Sequence, residues 1–344
     1  MRLAEPGIPA TDLTRVKILA SRVTLSPVSV PQRARIPEPA SGVDLRVSIG
    51  SLSLNNPIIA ASGTFGYGVE FAHLVNLNRL GGIVVKGLSV EPMAGAPAPR
   101  MREVTGGMIN AIGLENIGVR SFIADKLPRL RGCHAAIIAN VFGYTISEYV
   151  EVIRTLEDGD GLSAYELNIS CPNVERGGAE YGTSPSLVGE VVAAARKATG
   201  RPLWVKLSPL VGNIGLIAKA AESAGADAVV IANTYPSLCI DTHTRRSYLG
   251  STAGGLSGPG IKPITVRLVY EAARVIKIPI LGLGGIGSPL DVIEYILAGA
   301  SAVQVGTAHF CDPRASERLV SNLEAWCQEE NLSEISSLRG GFKA

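Results

Sequence analysis

The chain has 344 residues, 46% of them hydrophobic, and its 32 Lys and Arg stand against 30 Asp and Glu for a formal net charge of +2. That balance excludes a basic field for nucleic acid and an acidic tail, so an ionic ligand must be held by local groups. No apolar run approaches the roughly 20 residues that cross a bilayer, which leaves membrane attachment without support.

The five cysteines are Cys133, Cys171, Cys239, Cys311 and Cys327. They show neither C-x-x-C nor metal-site spacing, which argues against a metal centre or an iron–sulfur cluster held by this chain. Scattered thiols with no signal-like segment point to a reducing, cytoplasmic setting.

Residues 1–45 read as a flexible or atypical N-terminal extension. Pro6, Pro9, Pro27, Pro31, Pro37 and Pro39 interrupt any long element there. Glu5, Asp12 and Glu38 argue against an organelle-targeting peptide. From about residue 50 a rhythm begins. Short apolar runs cover Pro57–Ala61, Gly82–Lys86, Ala136–Asn140 and Ala164–Ser170, then Leu203–Ser208, Ala228–Thr234, Ile278–Gly284 and Ala302–Thr307. They lack clean alternation, as strands buried on both faces do.

Helical signals fall between the runs. Thr145-Ile146-Ser147-Glu148 has the form of a capping box before Tyr149–Leu156. Ile214, Ile217, Ala221 and Ala224 form an apolar stripe. Ser288 precedes Pro289 and Asp291, a helix start, and Asp312-Pro313 reads as the start of the last helix. Eight strands alternating with helices give an α/β fold, a parallel (β/α)₈ TIM barrel over residues 46–330, with a C-terminal tail at 331–344. Three connections are too long for plain turns: Gly87 to Ala135, Cys171 to about Ser186, and Tyr235 to about Lys262. They follow strands 2, 4 and 6, on the face where a barrel builds its active site, and suggest a lid or a covered pocket.

Polar residues mark the strand ends. Ser62, Lys86, Asn140, Asn168 and Lys206 end the first five, and Asn233 and Thr234 end the sixth. Two lysines and three asparagines at successive strand ends would converge on one mouth around a polar, partly anionic ligand. Gly284 and Gly285 end strand seven, and Gly306 and Thr307 end strand eight. Glycine loops with free N–H groups at this place in a barrel are suited to a phosphate. Gly282, Gly284 and Gly287 also satisfy G-x-G-x-x-G. The next strand ends without the acidic residue that a dinucleotide site needs, so that reading is rejected. Cys171 follows strand four among polar residues, beside Pro172 and before Gly177-Gly178. A thiol there is either a small structural residue or a base.

The segments Asn56–Gly66, Asn110–Asn116, Asn168–Asn173 and Lys206–Pro209 resemble class 1 dihydroorotate dehydrogenases. Ala232–Thr234, Gly254–Gly258 and Ala302–Ala308 resemble more particularly the B-type catalytic subunit. The resemblance runs from about residue 42 to 320.

It implies oxidation of dihydroorotate to orotate on FMN, the redox step of pyrimidine synthesis. Cys171 would be the catalytic base and Lys206 the lysine beside the flavin pyrimidine edge. Substrate contacts would come from Lys86, Asn110, Asn168, Asn233 and Thr234, and from the backbone of Ala111, Ile112, Gly113 and Leu114. Cofactor contacts would come from Ser62, Lys86, Gly87, Asn140, Asn168 and Lys206. The rest would come from Ala232, Gly258, Gly284, Gly285, Gly306 and Thr307. The resemblance also implies a separate subunit carrying FAD and a [2Fe–2S] cluster that passes electrons to NAD⁺, and a homodimer at the core of a heterotetramer.

Four rival readings share some of these residues. An A-type enzyme uses fumarate and works alone. A dihydropyrimidine dehydrogenase-like flavin barrel would prefer uracil or thymine. Outside redox chemistry, an aldolase or isomerase would use Lys206 as a Schiff base, and a phosphate-binding protein would do no catalysis.

Overall fold

The computed structural model describes residues 42–170 and 181–343. Eight parallel strands close into a barrel: Ile58–Ala60, Gly82–Val84, Ala136–Val141, Ala164–Asn168, Leu203–Lys206, Ala228–Ile231, Ile280–Leu283 and Ala302–Val305. Each pairs with the next in chain order. The eighth closes on the first, Val303, Gln304 and Val305 lying opposite Ile58, Ile59 and Ala60. Their side chains are buried between an inner core and an outer layer of helices, which is why the runs are apolar without alternation.

Most of the expected runs extend one to three residues past the carboxyl ends of these strands. The reason is physical. Lys86, Asn233 and Thr234 leave the ladder where the backbone turns outward, so they continue the run in sequence but line the mouth in space.

The helix starts follow local chemistry. Helix Ile146–Glu157 begins at Thr145, whose hydroxyl accepts from the Glu148 N–H at 3.3 Å. The Glu148 carboxylate accepts from Tyr144, one residue before the position a full capping box uses. Ser288 and Asp291 form the complete box for helix Pro289–Leu297. Asp312-Pro313 does not start the last helix. That helix is Ala315–Glu329, and Asp312 instead closes a short helix, Ala308–Cys311. Its carboxylate accepts from the Arg314 N–H and pairs with Arg318.

Ordered packing reaches beyond the expected barrel limits at both ends. Val43 and Leu45 are buried in the core ahead of a hairpin of Val47–Ile49 and Leu52–Leu54. At the other end Ile335 is fully buried in a short 3₁₀ turn, and Phe342 stands edge-on to Tyr270. Residue 44 bridges to residue 334, which ties the two ends together.

The long connections after strands two and six pair with each other. Strands Tyr235–Ser237, Gly254–Ser257, Gly107–Asn110 and Met101–Val104 lie side by side in one antiparallel sheet. Asn110 sits opposite Gly255 at its centre. This sheet covers the barrel mouth. Among the described residues no helix is long and apolar enough to cross a membrane, and no group of three or more His, Cys, Asp or Glu could hold a metal ion.

Candidate active site at the carboxyl face of the barrel

Every barrel strand contributes to one cavity of about 180 Å³. A single water needs only ~10–15 Å³ of such space, so the cavity takes a sizeable organic ligand. It brings together almost all the residues singled out in the sequence. Ser62, Lys86, Gly87, Asn140, Asn168 and Lys206 line it from the first five strands. Asn233, Thr234, Gly284, Gly285, Gly306 and Thr307 line it from the last three. Asn110, Ile112, Gly113, Leu114 and Gly258 enter from the cover. Ala111 and Ala232 are buried and do not line it. Cys171 lies outside the described residues.

The two lysines differ in setting. Lys206 is 4% exposed, with Nζ 3.4 Å from the Ser62 hydroxyl. The rest of its strand, Leu203, Trp204 and Val205, is fully buried. Lys86 is at the rim, with Nζ 3.6 Å from a Glu115 carboxylate oxygen. The asparagines are fixed by hydrogen bonds. Ser170 donates to Asn168 Oδ1 at 3.0 Å and accepts from Asn233 Nδ2 at 2.9 Å. Asn110 Nδ2 donates to the Gly255 carbonyl at 3.3 Å, within the cover sheet.

Below the cavity lies a carboxylate that the sequence reading passed over. Glu166 is fully buried on the fourth strand and accepts from Asn140 Nδ2 at 2.7 Å and from Gln304 Nε2. No Lys or Arg lies within ion-pair distance of it among the described residues. Two amide donors compensate its lost hydration. A signal was present, since Glu166 and Asn168 alternate on one face of a strand that is otherwise apolar.

At the opposite side the glycines make room. Gly285 has φ +67°, and a Cβ there would come within 2.8 Å of the Gly258 carbonyl and of Lys262. At Gly306 a Cβ would meet nothing closer than 3.8 Å, so a side chain there would fill cavity space. The Thr307 hydroxyl donates to Ser257 at 2.8 Å, which joins the eighth strand end to the cover. Thr64, Glu115, Ser257 and Phe310 also line the cavity and were not singled out in the sequence. Behind Thr64, burial pushes His309 down to about 4, and its Nε2 lies 2.8 Å from the Ser316 hydroxyl.

A polar mouth with a buried cation, fixed amides and a glycine cradle suits a flat heterocycle and a phosphate held together. The comparisons agree with that chemistry. A family model described as dihydroorotate dehydrogenase matches residues 44–326. A Solibacter usitatus protein with the provisional name dihydroorotate dehydrogenase A (fumarate) is 54% identical over 299 residues, covering 87% of this chain and 98% of its own. A Trichlorobacter lovleyi protein named dihydroorotate dehydrogenase B (NAD(+)), catalytic subunit, is 50% identical over 299 residues, with the same coverage. One of that name from Pelobacter propionicus is 47% identical over 300 residues, covering 87% of this chain and 99% of its own. The chain belongs to the dihydroorotate dehydrogenase family.

Proposed function

We propose that this chain oxidises dihydroorotate to orotate in pyrimidine biosynthesis, with FMN held in the cavity and electrons leaving through a partner subunit to NAD⁺. The observation that carries it is convergence. Lys206, Asn110, Asn168 and Asn233 meet the Gly284-Gly285 and Gly306-Thr307 cradle in one cavity of a chain of this family.

The residues present fit the cofactor. Gly306 leaves cavity space where a side chain would stand, and the Gly285 backbone takes a conformation that favours glycine. Those loops would hold the phosphate, with Thr307 beside them. Lys206 would hold the pyrimidine edge of the ring, with Ser62, Gly87 and Asn140 as further contacts. When bound, FMN supplies the acceptor for the hydride that leaves C6 of dihydroorotate.

The chain's own groups do the rest. Cys171 takes the C5 proton as base. Lys86 holds the carboxylate and the backbone from Ile112 to Leu114 completes the pocket, while Asn110, Asn168, Asn233 and Thr234 bind the amide edges. Asparagine suits this task because it both donates and accepts. A fixed cation at Lys206 favours negative charge on the ring it faces, at no cost of reorganisation.

The test has two parts. Heat release and chromatography of the bound cofactor should yield FMN; finding FAD, or none in folded protein, removes the central claim. Cys171→Ala should slow flavin reduction by dihydroorotate roughly 10²-fold while leaving FMN bound. A native rate in that variant would overturn the base assignment.

The acceptor has a second reading. The relative that is 54% identical carries a fumarate name, whereas those at 50% and 47% carry the NAD⁺ name. Support for a partner subunit comes from this second group and from the spread of the cysteines, which form no cluster motif in sequence. The partner would carry FAD and a [2Fe–2S] cluster, on a homodimer of this chain within a heterotetramer. The isolated chain should then reduce NAD⁺ negligibly and gain the activity with that partner. Brisk turnover with fumarate by the chain alone would select the other reading.

A further inference from the structure

At the rim one carboxylate faces two cations. Glu115 Oε2 lies 2.6 Å from Arg100 Nη1 and 3.6 Å from Lys86 Nζ. Arg100 is the fixed member, since its Nε donates to the Ala96 carbonyl at 2.6 Å and its Nη2 to the Ala94 carbonyl at 2.9 Å. The loop that presents Glu115 is held as well. Gly113 and Leu114 both take positive φ, +72° and +57°. Asn116 Nδ2 donates to the Leu114 carbonyl and to Ser89 Oγ, both at 2.9 Å. Glu115 therefore stays at the cavity edge independently of Lys86, and its contact with that lysine is the looser of the two.

Lys86 is the rim cation to which a ligand carboxylate would go. Any such carboxylate arrives beside Glu115. It must share the ammonium with a like charge or displace it, and either outcome weakens binding. Arg100 lessens the penalty by neutralising part of the Glu115 charge. Two cations and one anion leave this cluster at +1.

We propose that Glu115 is a brake on carboxylated ligands, competing with them for Lys86, and that Arg100 sets how hard the brake acts. This rests on the dihydroorotate reading of the site. Substrate and product carry the same carboxylate, so the brake loosens orotate as much as dihydroorotate and speeds product release. Side-chain exposures of 24% for Lys86 and 45% for Glu115 keep the effect modest, because water and salt screen it.

The test uses flavin-loaded protein and orotate, with binding read from the flavin absorbance change. Glu115→Gln raises the cluster to +2 and should tighten orotate by roughly two- to fivefold at low salt, with the gain shrinking at ~0.5 M salt. Arg100→Gln lowers the cluster to zero and should weaken orotate. Orotamide, the neutral carboxamide of orotate, should bind Glu115→Gln and the parent protein alike. Unchanged or weaker orotate binding in Glu115→Gln overturns the brake, as does equal tightening of orotamide, which would mean a reshaped pocket. A flavin-loaded parent protein that gives no orotate response overturns the substrate reading and the brake with it.

Discussion

Glu166 and Glu115 are the same residue type in two settings, one beneath the cavity and one at its rim. Glu166 is sealed in the barrel floor, where two amide groups from strands three and eight donate to it. Glu115 is on the rim, in a cover loop, between an arginine and a lysine. In the floor the surroundings admit one arrangement, and the carboxylate serves as a fixed acceptor. On the rim, water competes for every contact, and the same group can change partners when a ligand arrives. The floor therefore fixes the shape of the site, whereas the rim adjusts its affinity. Buried polar groups carry large penalties when unpaired, and exposed ion pairs carry small ones.

Substitutions that break this comparison should differ severalfold in cost. Glu166→Ala leaves Asn140 Nδ2 and Gln304 Nε2 without their acceptor and opens a cavity. It should cost about 2–5 kcal/mol of stability in urea unfolding, as two buried donors left unpaired beside a new cavity do. A cost below about 1 kcal/mol would show that the floor adapts.

His309 tests the sealed side through pH. Burial lowers it from 6.5 to about 4. The unfolded chain therefore binds a proton between those values that the folded chain does not. Its contribution is fully present above pH ~6.5 and is lost as pH falls towards ~4, by up to about 3 kcal/mol. His309→Gln should flatten the decline in that window, and an unchanged slope would remove His309 as its cause.

The smallest effect belongs to the rim. Glu115→Gln should change stability by less than about 1 kcal/mol, because its partners stay solvated. A loss comparable to that of Glu166→Ala would mean that the cover depends on this carboxylate for its fold.

Much of the barrel was legible because strands buried on both faces must be apolar, and the polar residue that ends each run marks the mouth. Lys86, Asn140, Asn168 and Lys206 were found that way. What escaped follows from the same logic. Glu166 lies inside an apolar run, where only its register with Asn168 distinguishes it. Glu115 belongs to a quoted motif, but its meaning comes from Arg100 and Lys86, which lie 15 and 29 residues away in sequence. The cover sheet was not foreseen, since nothing local in Gly107–Asn110 names Gly254–Ser257 as its neighbour. Asp312 has the chemistry of a helix start but serves as the end of the preceding turn.

That cover sheet has a consequence for the order in which the molecule assembles. Asn110 and Gly255 are separated by 145 residues, and the third to sixth barrel strands lie between them in sequence. Their pairing closes a long loop, whose entropic cost falls sharply only once the intervening strands have docked. The roof should thus form last on folding and open first on unfolding. Amide exchange at Gly255 and Leu256 should run well ahead of exchange in Ala164–Asn168. Ligand present during refolding should speed neither the barrel nor its closure, and should slow only the reopening of the roof.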